Sequence, residues 1–240
     1  MSIIPSLYTP LTIDSTNNKI YFKQASPVLT GTLASGVYYD PETLITSAAM
    51  AMKNAAAGTW TGTFRRTDGK AVFDCTVFTI RILSGSPASC HELLGWHSPD
   101  TAAHTPPVTS SHQIPNYWSP DIPVEADSFA YKKVNGSQHF TLNGNNQYFQ
   151  VGSNTVRDIN FITVPVSKVI KTQTGSFYNE SFEDVWDKAK TRMRYWPDRT
   201  VTGTYEDYFL TSEIEDMDID RSAYTPSLFN FKIKLGKVGG

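Results

Sequence analysis

Cysteine and charge are both scarce in this chain. Two cysteines, Cys75 and Cys90, stand in 240 residues, too few for a disulfide-stapled scaffold, so free, partly buried thiols are the expectation. Charged residues make up only 18% of the chain, which leaves little to dress the outer faces of many helices. Lys and Arg total 21 against 23 for Asp and Glu, a formal charge of −2 with no block of like charges. A phosphate backbone needs a concentrated basic face, so nucleic acid is excluded as the main partner, and nothing draws the chain to an anionic membrane. No stretch approaches the roughly 20 apolar residues that cross a bilayer, and Met1 to Pro10 lacks the basic flank and apolar centre of a signal peptide. The expected setting is the cytosol, or release by lysis.

Catalytic signatures are missing as well. The sequence holds no Gly-x-Ser-x-Gly, no Gly-x-x-x-x-Gly-Lys, no dinucleotide fingerprint and no His-Glu-x-x-His, so neither an enzyme nor a cofactor is expected. Cys75, Cys90, His91 and His97 are ligand types for zinc, but they do not fall into the close pairs that structural zinc sites use. Buried thiols and loop histidines account for them. His104 and His112 titrate near neutrality, and nothing in their surroundings selects them as a switch. The acidic run from Glu213 to Asp220 lacks the spacing and the glycine of a calcium loop, and reads as a solvated turn or an electrostatic contact for a neighbouring chain.

What is plentiful is Gly, Pro, Ser, Thr and Asn, with aromatics at 12%. That composition suits strands and long turns. The predicted class is mainly β (α+β), a β-barrel or sandwich with two short packing helices and a long irregular loop or arm. One domain over 1–240 is expected, divisible into a helix-plus-hairpin unit at 1–98, a Pro-rich arm at 99–127 and a β-barrel completion at 128–240.

The first helix follows Asp40 as cap, Pro41 at the first helical position and Glu42 at the positive end of the dipole. Leu44, Ile45, Ala48, Ala49 and Met52 form its stripe, and Gly58 ends it. Thr59 to Arg65, a turn at Asp68-Gly69 and a long strand from Ala71 to Leu83 read as a hairpin. From Ser84 to Asp127 the regular pattern stops under repeated prolines, and this stretch is the candidate arm ordered by a neighbouring subunit. Phe129 to Phe149 offers short strands with turns at Asn135-Gly136 and Asn143-Gly144, followed by a strand from Ile159 to Val166. The second helix starts at Ser181, with Asp184 three residues on and Phe182, Val185, Trp186 and Ala189 as its apolar face; Pro197 closes that segment. Phe229, Phe231, Ile233 and Leu235 alternate with polar residues in a final strand.

Aromatics such as Trp96, Tyr117, Trp118, Trp186, Tyr195 and Trp196 fit either a sugar platform or the core of a protein interface. The interface candidates are Trp96, Tyr117, Trp118, Trp196, Glu213 and Asp216.

Two segments resemble tailed-bacteriophage virion proteins. In the first, "GTLASGVYYDPETLITSAAMAMKNA" is followed by a hairpin and by "ELLGW", ending at Trp96. It is similar to a unit of viral structural proteins in which a glycine-tyrosine turn opens a Leu-rich helix, strands follow and a Leu-Gly-aromatic closes. The second, from Asn160 to Val238, holds "SFEDVWDKAKTRMRYWPD" and "FNFKIKLGKV". It resembles the end of tail and baseplate proteins, where a helix leads to an Arg-aromatic-Pro-Asp turn and two last strands. The resemblance implies a tail-tube-type β-barrel and a distal tail or baseplate hub protein. Such a protein forms a homo-oligomeric ring, a hexamer, that joins the tail tube to host-recognition proteins in a virion assembled in the host cytoplasm. The implied partners are further copies of the chain and other tail or baseplate proteins, with no catalytic residue carried over. Distal tail proteins often carry a separate galectin-like domain, for which no boundary is visible here. A tail terminator, head-to-tail connector, capsid-decorating protein or carbohydrate-binding host-recognition module therefore stays open.

Overall fold

A computed structural model describes the backbone of residues 4–24, 27–76, 79–83, 87–97, 103–120, 129–142, 145–169, 181–188, 192–210, 219–221 and 228–237, and side chains within 4–120 and 164–208. Five short strands open the chain: β1 (Ser6–Tyr8), β2 (Leu11–Ile13), β3 (Lys19–Gln24), β4 (Val28–Thr32) and β5 (Gly36–Tyr38). Helix α1 (Pro41–Ala55) follows, then β6 (Trp60–Arg65), β7 (Lys70–Cys75), β8 (Ile80–Leu83), a 3-10 turn at Glu92–Leu94, β9 (Val108–Thr109) and β10 (Tyr117–Trp118). The second half holds β11 (Phe129–Leu142), β12 (Asn145–Pro165), α2 (Val166–Val169), α3 (Phe182–Lys188), β13 (Met193–Trp196), β14 (Glu206–Leu210), β15 (Ile219–Arg221) and β16 (Leu228–Lys237). The protein is mainly β, with three short helices among the described residues. Its paired strands are antiparallel, and among the described residues no sheet closes into a barrel.

Helix α1 forms where the sequence directs it. The Asp40 carboxylate accepts from the Thr43 backbone N–H at 2.7 Å, and Pro41 loses no hydrogen bond in the first turn. Leu44, Ile45, Ala48, Ala49 and Met52 are all buried, and each of the larger three contributes about 1.5–3 kcal/mol of apolar burial. The helix stops at Ala55, three residues before Gly58, because Ala56 turns extended. Small residues let two strands lie on it: a Cβ at Gly62 would stand 2.6 Å from the Ile45 carbonyl oxygen, and one at Gly31 2.8 Å from that of Ala51.

Three small sheets surround this helix, β2–β5, β4–β3–β8 and β6–β7–β9. The long strand expected from Ala71 to Leu83 is two strands in two sheets, since β7 pairs β6 and β9 whereas β8 pairs β3. Each half keeps its period of two, with Ala71 and Phe73 buried in one and Ile80 and Ile82 in the other. Alternation alone does not mark a change of sheet.

The described parts of Ser84 to Asp127 are not an extended arm. Cys90, Leu94, Trp96, Val108, Ile114, Tyr117 and Trp118 are buried in the chain's own interior, and β9 and β10 add edges to two sheets. Prolines break regular pairing there without preventing apolar side chains from entering the core.

The largest sheet runs β10-β1-β13-β14-β16-β12-β11, with β15 also on β16. Strand β1 joins residues 117–118 to 193–196, so the chain's beginning stitches its middle to its second half. Asn135-Gly136 is a register shift within one strand, while Leu142 and Asn145 pair across the second expected turn. Strand β12 ends at Pro165, as the missing N–H requires. At α3 the Ser181 hydroxyl accepts from the Asp184 N–H at 3.2 Å, and the Asp184 carboxylate accepts from the Ser181 N–H and hydroxyl, a capping box with Asp in the third position. Phe182 and Val185 are buried; the side chains of Trp186 and Ala189 lie outside the described residues.

Candidate functional site

The hairpin β6–β7 turns through Arg66, Thr67, Asp68 and Gly69. Gly69 has φ of +68°, and a Cβ there would meet the Gln113 side chain at 2.5 Å, so the turn needs glycine on both counts. Successive arginines face opposite ways. Arg65 pairs with Asp68 at the surface, worth little in water. Arg66 turns inward and is 8% exposed. Its carbonyl accepts from the buried Tyr117 hydroxyl at 2.7 Å. Its Nε donates to Glu42 at 2.5 Å, and its guanidinium lies 4.3 Å from the centre of the Trp196 ring. Its Nη1 is buried without a hydrogen-bond partner.

Strand β13 continues this pattern of arginine against aromatic. Arg194 Nε donates to Asp207 at 2.9 Å, Nη1 to Asp40 at 3.3 Å, and its guanidinium lies 3.8 Å from the Tyr205 ring centre. Arg192 also donates to Asp207 and lies 4.8 Å from the Tyr39 ring centre. Tyr205 in turn stands 6.1 Å from Trp196. Burial works against the Asp207 carboxylate, but hydrogen bonds from Arg194 and Arg192 outweigh it and hold the group below its usual range. Asp40 therefore both caps α1 and accepts from Arg194, tying the first turn of the helix to β13.

Beside the Arg66 end of this seam lies an open pocket of about 390 Å³, within the size range of small-ligand sites. Helix α1 supplies Glu42 and Thr46. The hairpin supplies Thr63, Phe64, Arg66 and Thr67, and the segment after β13 supplies Thr200 and Thr202. Its charged members are one acid and one base, so the lining is neutral overall.

Apart from Trp196, the described residues singled out in the sequence fall elsewhere. Trp96 and Tyr117 are buried, the first stacked 5.5 Å from Phe73 and the second edge-on to Phe64 at 4.9 Å. Trp118 is 0% exposed, donates its indole N–H to the Lys168 carbonyl at 2.7 Å and packs on Phe182. Trp196 is 1% exposed under Arg66. Side chains so enclosed have no surface to give a partner or a sugar ring, and as interface candidates these four are corrected to core residues. Glu213 and Asp216 lie outside the described residues.

Cys75 and Cys90 are free and buried, and burial pushes the Cys90 thiol up to about 12. His91 shares a hydrogen bond with Ser89, His104 bridges to Ile80 through its backbone, and the rings of His97 and His112 stand 5.2 Å apart. Among the described residues no three His, Cys, Asp or Glu side chains gather as metal ligands, and no described helix is long and apolar enough to cross a membrane. Sequence reasoning missed Arg66, Arg192 and Arg194. The Arg-Tyr-Trp-Pro-Asp run from Arg194 to Asp198 was the available signal for the last of these. Comparison of the chain with models of protein families, with curated proteins and with solved structures gives no match.

Proposed function

We propose that the chain is a structural protein of a tailed-phage virion that assembles with its own copies into a ring at the tail tip, a distal tail or baseplate component joining the tail tube to host-recognition proteins. The sequence resemblance of 31–96 and 160–238 supports this reading, and one feature of the fold carries it. Among the described strands, β12 pairs with β16 only from Val156 onward, whereas residues 145–155 have β11 as their one neighbour. A two-stranded ribbon thus runs past its sheet for about 35 Å, at ~3.3 Å per residue.

Two strands by themselves are marginal in water and need a third strand or a packed face. Strand β11 has β12 as its one neighbour among the described strands, which leaves a 14-residue edge of backbone donors and acceptors. A second copy supplies both needs. Pairing between the β11 end of one sheet and the β10 end of the next is head-to-tail, and such a contact closes into a ring when its rotation is right. A tail-tube-type barrel is then completed between subunits rather than within one. This ribbon replaces Ser84 to Asp127 as the assembly arm.

The test compares the full chain with a variant in which residues 137–153 are replaced by a short Asn-Gly turn. Light scattering is expected to give a closed oligomer for the first and a folded monomer for the second. A variant that still forms the oligomer would remove the ribbon from the account.

A further inference from the structure

The pocket beside Arg66 has the chemistry of a ligand site, and we propose that it binds a neutral polyhydroxylated ligand, one hexose unit of a glycan. This goes beyond the assembly reading and does not depend on it. Three observations converge. Arg66 is nine-tenths buried, yet the protein satisfies only part of its guanidinium: Nε reaches Glu42, one face stacks on Trp196, and Nη1 has no partner. A buried cationic N–H without an acceptor bears its full desolvation cost. Arg66 itself lines the pocket, and a small shift of its guanidinium on the Trp196 ring brings the unpartnered edge to a ligand oxygen there.

Charge selects a neutral ligand. Glu42 already balances Arg66, and a phosphate or carboxylate seated there would face the Glu42 carboxylate, whose side chain is 33% exposed. A hydroxyl suits both groups at once, accepting from arginine and donating to glutamate.

The rim matches in kind. Thr46, Thr63, Thr67, Thr200 and Thr202 line the pocket with exposed side chains. Each hydroxyl both donates and accepts, and each methyl offers an apolar contact. Phe64 adds an apolar wall, and its rigid position is fixed by Tyr117. A pyranose presents the same alternation of hydroxyls and C–H faces. Tyr205, exposed and resting on Arg194 next to Trp196, offers an aromatic surface for a second sugar unit.

Saturation-transfer NMR on the full chain with glucose, galactose and mannose tests this, with acetate and inorganic phosphate as charged probes. At least one hexose is expected to receive saturation, with affinity in the millimolar range. Thr63→Val and Thr202→Val, which keep side-chain shape at exposed positions, are each expected to weaken it about three- to tenfold while circular dichroism stays unchanged. Absence of transfer to any hexose would overturn the proposal. So would transfer undiminished in both variants, or displacement of the bound hexose by phosphate or acetate at concentrations well below that of the hexose. Should one variant fail to fold, Thr67→Val in the turn supplies the same comparison.

Discussion

Breaking the Glu42–Arg66 pair from its two ends is expected to have unequal consequences. Removing Glu42 leaves the guanidinium in place, with Nε joining Nη1 as a buried donor lacking an acceptor. Breaking a buried pair in this way costs about 3–5 kcal/mol. The Glu42 side chain is 33% exposed against 7% for Arg66, so water reaches part of the site, and a loss of about 2–3 kcal/mol is expected for Glu42→Ala. Removing Arg66 instead leaves a carboxylate that can turn to water and still sits in the favourable first turn of α1. Methionine refills the volume of the arginine stem, so Arg66→Met forfeits chiefly the stacking on Trp196, about 1 kcal/mol. Urea titration followed by tryptophan fluorescence reads the difference as a midpoint lower by a few tenths molar in Glu42→Ala than in Arg66→Met. The double variant should resemble Arg66→Met rather than the sum of the two. If Arg66→Met costs as much as Glu42→Ala, the unsatisfied buried guanidinium is not the source of the asymmetry and the reasoning fails.

Three other outcomes follow from the same geometry. Trp118→Ala removes a fully enclosed indole and its hydrogen bond to the Lys168 carbonyl, so it should lower stability by about 3–5 kcal/mol in chemical denaturation; unchanged stability would contradict its place in the core. The folded-state pKa of Asp207 is depressed, so its contribution is present above the unfolded value near 4 and is lost as pH falls through the lower folded value. Asp207→Asn should therefore be less stable than the parent at neutral pH and lose less on acidification, as read from urea midpoints across that range. Both thiols should resist a thiol reagent in the native protein at mildly alkaline pH, because Cys75 and Cys90 are buried and the Cys90 thiol titrates only at about 12. Two thiols per chain should react once urea unfolds it.

Local signals were legible in the sequence wherever one element answered to one pattern. The Asp40-Pro41-Glu42 start, the stripe from Leu44 to Met52, the Asp68-Gly69 turn and the capping box at Ser181 all reflect interactions within a few residues. Patterns that depend on distant partners were not. Alternation through 71–83 is the same whether its two halves share a sheet or part, and Asn-Gly at 135–136 serves a bulge as readily as a turn. Burial of the aromatics at 117, 118 and 196 comes from β1 bringing remote segments together, and Trp96 is covered by Phe73 of β7. Arg66 was invisible for a related reason. Its ion pair with Glu42 and its contact with Trp196 bridge positions far apart in the chain, and only the fold makes them neighbours.

The assembly of the full chain tests the central claim most directly. Light scattering together with negative-stain imaging should show a closed ring of several copies. A monomer that persists across the accessible concentration range, and does not pack with tail-tube protein, would contradict the account.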